Sequence, residues 1–434
     1  MEPLTIGLIS ICLLFLTVLI GAPVGLAMAL VGVGGFGMIV GFEAALSVLQ
    51  TAAFETASSY SFTLVPLFML MGNLISQSGM ASNLFRGAER LTRGQPGGLG
   101  VAGVTASAVF STVSGSSLAT ASTMTKVAYP EMLKRGYDTR LAAGSLAAGG
   151  TLGIMIPPSI ALLLYALITE QSVGEMFLAG ILPGVLGYVL YVITVFIMAR
   201  FWTSTQQEDL ETPSGLAGWF ECARLFAPAF CLFGLVMGGL YGGFFTPTEA
   251  GGAGAAFALI YALWKGMRWT GFLQALRATV ETTATIFFIL IGAEVLGFLI
   301  STSQVSFAMV DLMRDMGLGS WQVLIAIMVF YVVLGCFMES LAMILLTVPI
   351  FFPVIMESGF DPVWFGIIAV VTVELGLISP PVGMNLFMVK SVAIELPLRK
   401  IMVGVVPFIF ADIVRLAILI AFPAIVLLLP GRLQ

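Results

Sequence analysis

Apolar runs long enough to cross a lipid bilayer recur along the whole chain of 434 residues. Three of them cover Met176–Met198, Phe226–Gly242 and Ile401–Leu429, and charge interrupts the last only at Asp412 and Arg415. A helix needs about 20 apolar residues to span the hydrocarbon layer, whereas a barrel strand alternates apolar and polar positions. Because these runs do not alternate, they predict membrane-spanning helices and exclude a barrel.

Charge is too scarce for a soluble protein. Only 9% of the residues are charged and 59% are apolar, whereas a soluble domain is about one quarter charged. The net charge of −5 and the lack of a basic stripe argue against a nucleic-acid partner. The absence of histidine excludes histidine-dependent hydrolysis and HExxH metal sites. The four cysteines have no paired spacing and are expected to be buried, unreactive thiols.

The first apolar segment and one polar interval near the middle of the chain indicate where the two predicted halves begin and divide. The first apolar segment has no basic residues before it and no A-x-A site near its end, so we expect a retained span and not a cleaved signal. The interval Ser204–Gly218 holds three acidic residues and a proline, which indicates an exposed cytoplasmic linker. It divides the chain into residues 1–203 and 219–434.

The two halves share a repeated pattern. Leu152-Gly153 precedes Pro157-Pro158, and Leu375-Gly376 precedes Pro380-Pro381 at positions 223 residues later. Four further pairs match in order at offsets of 223 to 225, and they are Ser117–Ala119 with Ser340–Ala342, Pro130 with Pro353, Gly72–Ser78 with Gly297–Ser303, and Pro23 with Pro247. Five ordered matches at nearly one offset predict an internal duplication.

Charged flanks predict that the duplication is inverted. Arginines precede residues 97–132 and basic residues follow them, so this segment enters and leaves on the cytoplasmic side as a re-entrant hairpin. Its counterpart, residues 319–356, has acidic flanks that include Asp311 and Asp361. The two hairpins therefore open on opposite sides, as in many secondary transporters. With them we expect about ten spans and two interfacial arm helices, at Phe42–Ser59 and Gly266–Ala284.

Each half also carries a predicted broken helix beside its hairpin. In the first half, nine of the fifteen residues Ser111–Thr125 carry hydroxyls, and Gly115 permits a turn at this hairpin tip. Pro157-Pro158 should unwind the helix predicted at residues 140–169, because proline lacks an N–H donor. Carbonyls freed near such a break can bind a cation, and half-helix N-termini attract anions.

The second half repeats this arrangement with carboxylates. Its tip is Gly335–Met343, its broken helix is predicted at residues 363–390, and Glu339 and Glu374 align with Ser116 and Thr151. A charge at the bilayer centre costs about 2.5–3.5 kcal/mol on insertion scales, so each carboxylate needs a partner.

Each of these features also has a purely structural interpretation. Hydroxyls permit close helix packing, and a Pro-Pro pair can be a simple kink. Glu339 could cap a half-helix, Glu374 could be an interfacial charge, and Lys390 could reach to the membrane surface. The functional interpretation is favoured because tip and break recur together at one offset.

Three longer segments resemble a known family. They read GGTLGIMIPPSI at Gly149–Ile160, FTPTEAGG at Phe245–Gly252 and LISPPVGMNLF at Leu377–Phe387. Over essentially its whole length the chain resembles the large membrane subunit of TRAP transporters, the tripartite ATP-independent periplasmic transporters. The resemblance implies an elevator-type importer in the bacterial inner membrane. It also implies that sodium drives uptake of carboxylates such as C4-dicarboxylates, keto acids or sugar acids.

The resemblance further implies partners and sites. The partners are a small membrane subunit, expected as a separate chain, and a periplasmic solute-binding protein. Sodium is the coupling ion, and neither a cofactor nor a transition metal is expected. The implied sodium-site residues are Ser114, Gly115, Ser116, Ser117, Gly150, Thr151, Gly153 and Pro157 in the first half and Cys336, Glu339, Ser340, Gly376, Ser379 and Pro380 in the second. The implied substrate-site residues are Ser116, Ser117, Ser159, Glu339 and Asn385.

Two other functions compete with this one. A proton-coupled carboxylate permease could share inverted hairpins and would work without a binding protein. An intramembrane protease would need paired aspartates, Ser-His or a histidine-bound metal. Asp412 has no second intramembrane aspartate, and Arg415 lies close enough on the same helix face to pair with it. An enzyme is therefore not expected.

Overall fold

The computed structural model describes residues 2–202, 216–315, 317 and 319–432, and within these ranges all regular structure is helical. The predicted linker at Ser204–Gly218 lies almost wholly outside the described residues. The helices of the first half are α1 Pro3–Leu19, α2 Val24–Val40, α3 Phe42–Ser58, α4 Leu64–Gln77, α5 Met80–Thr92, α6 Gly98–Ser114, α7 Ser117–Lys134, α8 Thr139–Thr151, α9 Ile160–Ile168 and α10 Val173–Trp202.

The second half has ten α-helices among its described residues. They are α11 Leu216–Tyr241, α12 Pro247–Trp264, α13 Trp269–Ser303, α14 Val305–Asp315, α15 Ser320–Gly335, α16 Ser340–Glu357, α17 Pro362–Ile378, α18 Met384–Val392, α19 Leu398–Ala421 and α20 Ala424–Leu427. Short 3₁₀ turns cover Ser61–Thr63, Leu152–Ile154 and Pro430–Arg432.

Several helices have the length and composition to cross a membrane. Among the described residues, five helices qualify, and a sixth span results if α3 and α4 are counted as one bent span. Five shorter apolar helices of 10–17 residues accompany them, including α6, α15 and α17. Such a set of apolar helices is that of a multi-pass membrane protein.

The helices of the two halves pack against each other in reciprocal pairs. One set consists of α2 on α13 and α12 on α4. A second set consists of α8 on α19 and α17 on α10. The short helices after the breaks also cross over, because α9 contacts α16 and α18 contacts α7. Each half thus completes the core of the other.

The FTPTEAGG segment starts a helix. Thr246 precedes α12 and accepts a hydrogen bond from the backbone N–H of Glu249, whose carboxylate accepts one from the Thr246 N–H. Pro247 occupies the first helical position, where its missing N–H costs nothing. This capping box fixes where α12 leaves the loop, and no ligand is needed to explain these residues.

The prediction of two separate arm helices was wrong for the second half. In the first half, α3 is a separate helix, bent by 60° from the following segment. In the second half, Gly266–Ala284 is not separate, because α13 continues without interruption from Trp269 to Ser303. A helix-breaking proline explains the difference between the two halves. Pro66, near the start of α4, has no N–H for a helical bond, while its counterpart Ile291 has one.

The cysteine prediction was also only partly right. Among the described residues all four thiols are free, and Cys222 and Cys336 are buried. Cys12 on α1 and Cys231 on α11 are exposed instead. Both lie on apolar helices, whose outer faces can contact lipid, so an apolar thiol there does not have to be covered by protein.

Candidate functional site

The first hairpin turns at Gly115 and Ser116. Gly115 ends α6 in the left-handed region, with φ of 62°, which glycine adopts without strain. Ser116 begins α7 and accepts a hydrogen bond of 3.4 Å from the backbone N–H of Ala119. The Ile160 N–H donates to the Gly115 carbonyl at 3.4 Å, so the tip is attached to the start of α9.

The first break lies directly against this tip. α8 ends at Thr151, and α9 begins after Ser159, whose hydroxyl donates to the Ile154 carbonyl and accepts from the Leu162 N–H. The approach is close because Gly153 has no side chain, since a Cβ there would lie 2.6 Å from the Ser116 carbonyl oxygen. The backbone of the tip therefore lies directly against the break, in a position that a side chain at residue 153 would obstruct.

The second tip and break are joined in the same way. The Gly383 N–H, just before α18, donates to the Cys336 carbonyl at 3.0 Å. Gly335 and Gly376 lie so close that a Cβ on either would come within 2.9 Å of the other's Cα. Here too the missing side chains let the hairpin approach the broken helix.

The structure brings the predicted sodium-site residues together in two groups. Gly115, Ser116 and Gly153 meet at the first break, and Cys336, Gly376 and Pro380 meet at the second. Several hydroxyls at the tips and breaks already make hydrogen bonds within the protein. Ser114 shares a hydrogen bond of 2.6 Å with the Thr120 hydroxyl, Ser159 and Ser379 donate to carbonyls, and the Thr151 hydroxyl lies 2.7 Å from the Ala148 carbonyl.

The predicted substrate-site residues differ in whether their polar atoms have hydrogen-bond partners. Asn385 is buried at the start of α18, and its amide donates to the Ala147 carbonyl of α8 at 3.3 Å. The Asn385 side-chain oxygen and the Ser117 hydroxyl are buried without a hydrogen-bond partner among the described residues. Glu339 stands at the N-cap of α16 but makes no side-chain capping bond, so the capping alternative is not supported.

The surroundings of Glu374 exclude one of its purely structural interpretations. It is fully buried in α17 and is not an interfacial charge. Arg415 donates to its carboxylate at 2.6 Å and lies 3.6 Å from Asp412, which confirms the pairing expected within α19. The Lys390 ammonium donates to the Ile394 and Leu396 carbonyls after α18, and the bond to Ile394 is exposed.

Sequence reasoning missed Tyr191. Its hydroxyl donates to Asp412 at 2.6 Å and lies 3.0 Å from the Thr151 hydroxyl, deep in the core. A signal was present, because Tyr191 and Arg415 are 224 positions apart and thus occupy equivalent places in the repeat. Nothing in the sequence showed that these side chains point to one centre.

The oxygen donors at the tips and breaks determine which kind of ion they suit. Within the described residues, no group of three or more histidine, cysteine, aspartate or glutamate side chains lies close enough to hold a metal ion. The tips and breaks offer carbonyls and hydroxyls instead, and these oxygen donors suit hard cations.

The architecture and the paired breaks define a multi-pass membrane transport protein. The model of the family described as the tripartite ATP-independent periplasmic transporter, DctM component, matches residues 11–425. The chain therefore belongs to this family, and it is a transporter subunit and not an enzyme.

Two relatives agree with this assignment, and a solved structure shares the fold. The chain is 35% identical to the C4-dicarboxylate TRAP transporter large permease protein DctM of Pseudomonas aeruginosa, over 89% of this chain and 90% of that one. It is 33% identical to the sialic acid TRAP transporter large permease protein SiaM of Vibrio cholerae, over 85% and 86%. The fold is similar to the crystal structure of the Alcanivorax borkumensis YdaH transporter, with a TM-score of 0.62 at 13% identity over 89% of this chain and 90% of that one.

Proposed function

We propose that this chain is the large membrane subunit of a sodium-coupled importer of organic anions that depends on a binding protein. One observation carries the proposal: in both halves a hairpin tip and a helix break are joined by a backbone hydrogen bond, at Gly115–Ile160 and at Cys336–Gly383. Carbonyl oxygens at such breaks are ligands for a hard cation, and half-helix N-termini favour an anionic substrate.

The two groups of tip and break residues are the proposed sodium sites. The first lies between Ser114–Ser117 and Gly150–Pro157, and the second between Cys336–Ser340 and Gly376–Pro380. The substrate is proposed to bind between the two tips, with Ser117 and Asn385 supplying buried polar atoms that have no partner among the described residues.

The proposed substrate class rests on the half-helix N-termini, which favour an anion, and on the relatives. Two relatives are named for a C4-dicarboxylate and for sialic acid, and both compounds carry carboxylates. We propose an organic anion with at least one carboxylate as the solute of this chain. The cognate binding protein is expected to select the particular compound.

The packing of the two halves is the basis for the architecture that we propose for the whole transporter. The reciprocal packing of the halves supports an inverted repeat of about ten spans in the bacterial inner membrane. The hairpins and broken helices would form the mobile part of an elevator, which moves against α2, α4, α12 and α13. A small membrane subunit and a periplasmic binding protein complete the transporter.

Reconstitution tests the coupling ion. Purified large and small subunits in vesicles, with the cognate binding protein outside, should accumulate a labelled carboxylate when an inward sodium gradient is imposed. Replacing sodium by potassium while a proton gradient is kept should abolish uptake. Undiminished uptake in potassium would refute sodium coupling, and uptake without any binding protein would favour the proton-coupled permease.

Variants at the first site test its location. Ser116→Ala and Pro157→Ala should reduce sodium-driven uptake, because the first alters the tip and the second removes one of the two prolines that shape the break. Membrane insertion and expression should be unchanged. Wild-type transport by both variants would exclude the first site.

A further inference from the structure

A chain of buried polar side chains connects the two broken helices. It starts at Thr151, the last residue of α8, whose hydroxyl lies 3.0 Å from the Tyr191 hydroxyl of α10. Because the Tyr191 proton goes to Asp412, Thr151 is the donor of this bond, in place of its alternative acceptor, the Ala148 carbonyl at 2.7 Å. Tyr191 donates to Asp412 of α19 at 2.6 Å, and Arg415 lies 3.6 Å from the same carboxylate. Arg415 then donates to Glu374 of α17 at 2.6 Å. All five side chains are fully buried.

The two ends of this chain are equivalent positions of the repeat. Thr151 and Glu374 are 223 residues apart, and each lies just before the break in its own helix. Their partners Tyr191 and Arg415 are 224 residues apart, on equivalent helices. Each half therefore has its own pair, neutral in the first and charged in the second, and Asp412 joins the two pairs.

The surroundings hold Arg415 in one place. Its Nε donates to the Pro183 carbonyl of α10 at 3.1 Å, and its guanidinium lies against Gly187, where a Cβ would come within 2.7 Å of Cζ. The Tyr191 ring packs edge-on against Phe408 at 5.5 Å between centroids. Since the groups are fixed by α10 and α19, a shift of α17 at Glu374 has to be transmitted to the Thr151 end or break a bond.

Apolar side chains would fill this space at a lower cost in free energy. A buried ion pair rarely adds stability over well-packed apolar side chains, because both charges lose their hydration. The first half shows that the same fold position accepts a neutral pair, Thr151 and Tyr191. The charged pair is therefore not required to fold this position, and its bonds instead specify one relative placement of the helices.

We propose that Tyr191, Asp412 and Arg415 are positioning residues that tie the two broken helices together, so that both cation sites form as one unit. This inference rests on the proposed sodium coupling. Binding of the first ion would order both breaks through the tie and so favour binding of the second. The sodium dependence of uptake is then cooperative.

One pair of matched tyrosine variants tests the tie. Tyr191→Phe removes the hydroxyl that lies between Thr151 and Asp412 but keeps the ring. Tyr188→Phe is the control, because the Tyr188 hydroxyl on the same helix bonds only to Thr105 of the first half among the described residues, at 3.0 Å. In reconstituted vesicles, Tyr191→Phe should lower the Hill coefficient for sodium towards one and raise the half-saturating sodium concentration about tenfold. Tyr188→Phe should leave both unchanged.

Two outcomes of this experiment overturn the proposal. One is wild-type cooperativity in Tyr191→Phe, and the other is an equal loss in both tyrosine variants. If Tyr191→Phe yields no folded protein, the sodium-free comparison of melting temperatures described next decides in its place.

A second measurement does not depend on sodium. Melting temperatures of detergent-purified Thr151→Val, Glu374→Gln and the double variant are compared in potassium. If these side chains act as one unit, the decrease in melting temperature of the double variant should differ from the sum of the decreases in the two single variants. We expect a difference of at least about 2 °C. Additive losses overturn the tie. If wild-type uptake proves independent of sodium while this cycle is non-additive, the proposed coupling fails and the tie stands.

Discussion

At the residue scale, glycines decide how closely the hairpins approach the breaks. Gly115 supplies the left-handed turn of the first tip, and a Cβ there would lie 3.1 Å from the Pro158 carbonyl. Gly153 lets the Ser116 carbonyl approach the break. The hydroxyl-rich tip is therefore placed by residues that themselves carry no functional group.

Gly115→Ala is expected to impair transport more than its conformational cost explains. The left-handed backbone costs a non-glycine residue about 1–2 kcal/mol, and the Pro158 contact adds a displacement of the break. Gly136→Ala is the control, because Gly136 has φ of 64° and nothing within 4 Å. Both variants should melt at lower temperature, but only Gly115→Ala should weaken sodium-driven uptake. Equal uptake in the two variants would contradict the prediction.

Asp138 is a second residue whose role the structure defines. It precedes α8 in a loop, where its carboxylate accepts from the N–H groups of Arg140 and Leu141 and pairs with the Arg140 side chain at 3.0 Å. Burial acts to raise the pKa of Asp138, but the hydrogen bonds from Arg140 and Leu141 outweigh it and lower the pKa below its ordinary value of 3.8. The carboxylate therefore stabilises the fold at neutral pH, and this contribution is lost as the pH falls below 3.8 through the lowered pKa.

Loss of this cap gives a graded prediction. Asp138→Ala should destabilise the protein by about 1 kcal/mol, because the first turn of α8 loses its acceptor. Asp138→Asn keeps an acceptor oxygen and should cost clearly less. Thermal unfolding at neutral pH measures the difference, and an equal loss in both variants would show that the ion pair with Arg140 matters more than the cap.

At the element scale, the crossing of α8 and α19 holds the first broken helix against the second half. Gly144 and Gly404 meet there, and a Cβ on Gly144 would lie 2.1 Å from the Gly404 carbonyl. Such close backbone contact between helices is how membrane proteins gain packing energy where lipid removes the hydrophobic drive.

Gly144→Ala should therefore separate these helices. We expect a loss of about 1–3 kcal/mol from overpacking, despite the better helix propensity of alanine. Gly234→Ala on α11 is the matched control, since it has nothing within 4 Å and should be neutral or slightly stabilising. Melting temperatures in detergent compare the two. A neutral Gly144→Ala would mean that the crossing adapts and is not a fixed point.

At the scale of the whole molecule, the reciprocal contacts of the two halves make the transport core a shared structure. α9 packs on α16 and α18 packs on α7, so each short helix belongs to the first half or the second by sequence but contacts the other half in space. A ligand that orders one break then stabilises the whole core.

Sodium should stabilise the purified protein specifically. With sodium at about 100 times its dissociation constant, binding to the folded state alone adds about 2.7 kcal/mol for one site. The melting temperature should rise in sodium chloride but not in potassium chloride at equal ionic strength. Ser116→Ala should show a smaller rise. An equal response to both salts would contradict sodium binding at the proposed sites.

Most of the element plan could be predicted from the sequence, because local chemistry determines it. Pro157 and Pro380 mark where helices stop, Gly115 marks a turn, and long apolar runs mark spans, each through properties of a few neighbouring residues. The second arm helix was mispredicted for a related reason: amphipathic composition indicates an interface but does not break a helix. Only a breaker such as Pro66 does so, and α13 has none at the equivalent position.

The sequence by itself thus determined the membrane-spanning class, the repeat, and the places where helices turn and break. The tertiary structure alone decided which side chains meet. Glu374 and Arg415 are 41 residues apart and Tyr191 and Asp412 are 221 apart, so no local pattern could pair them. The physical reason is that a buried charge is satisfied by whatever partner the fold brings within hydrogen-bond distance, and that partner depends on how helices of both halves cross.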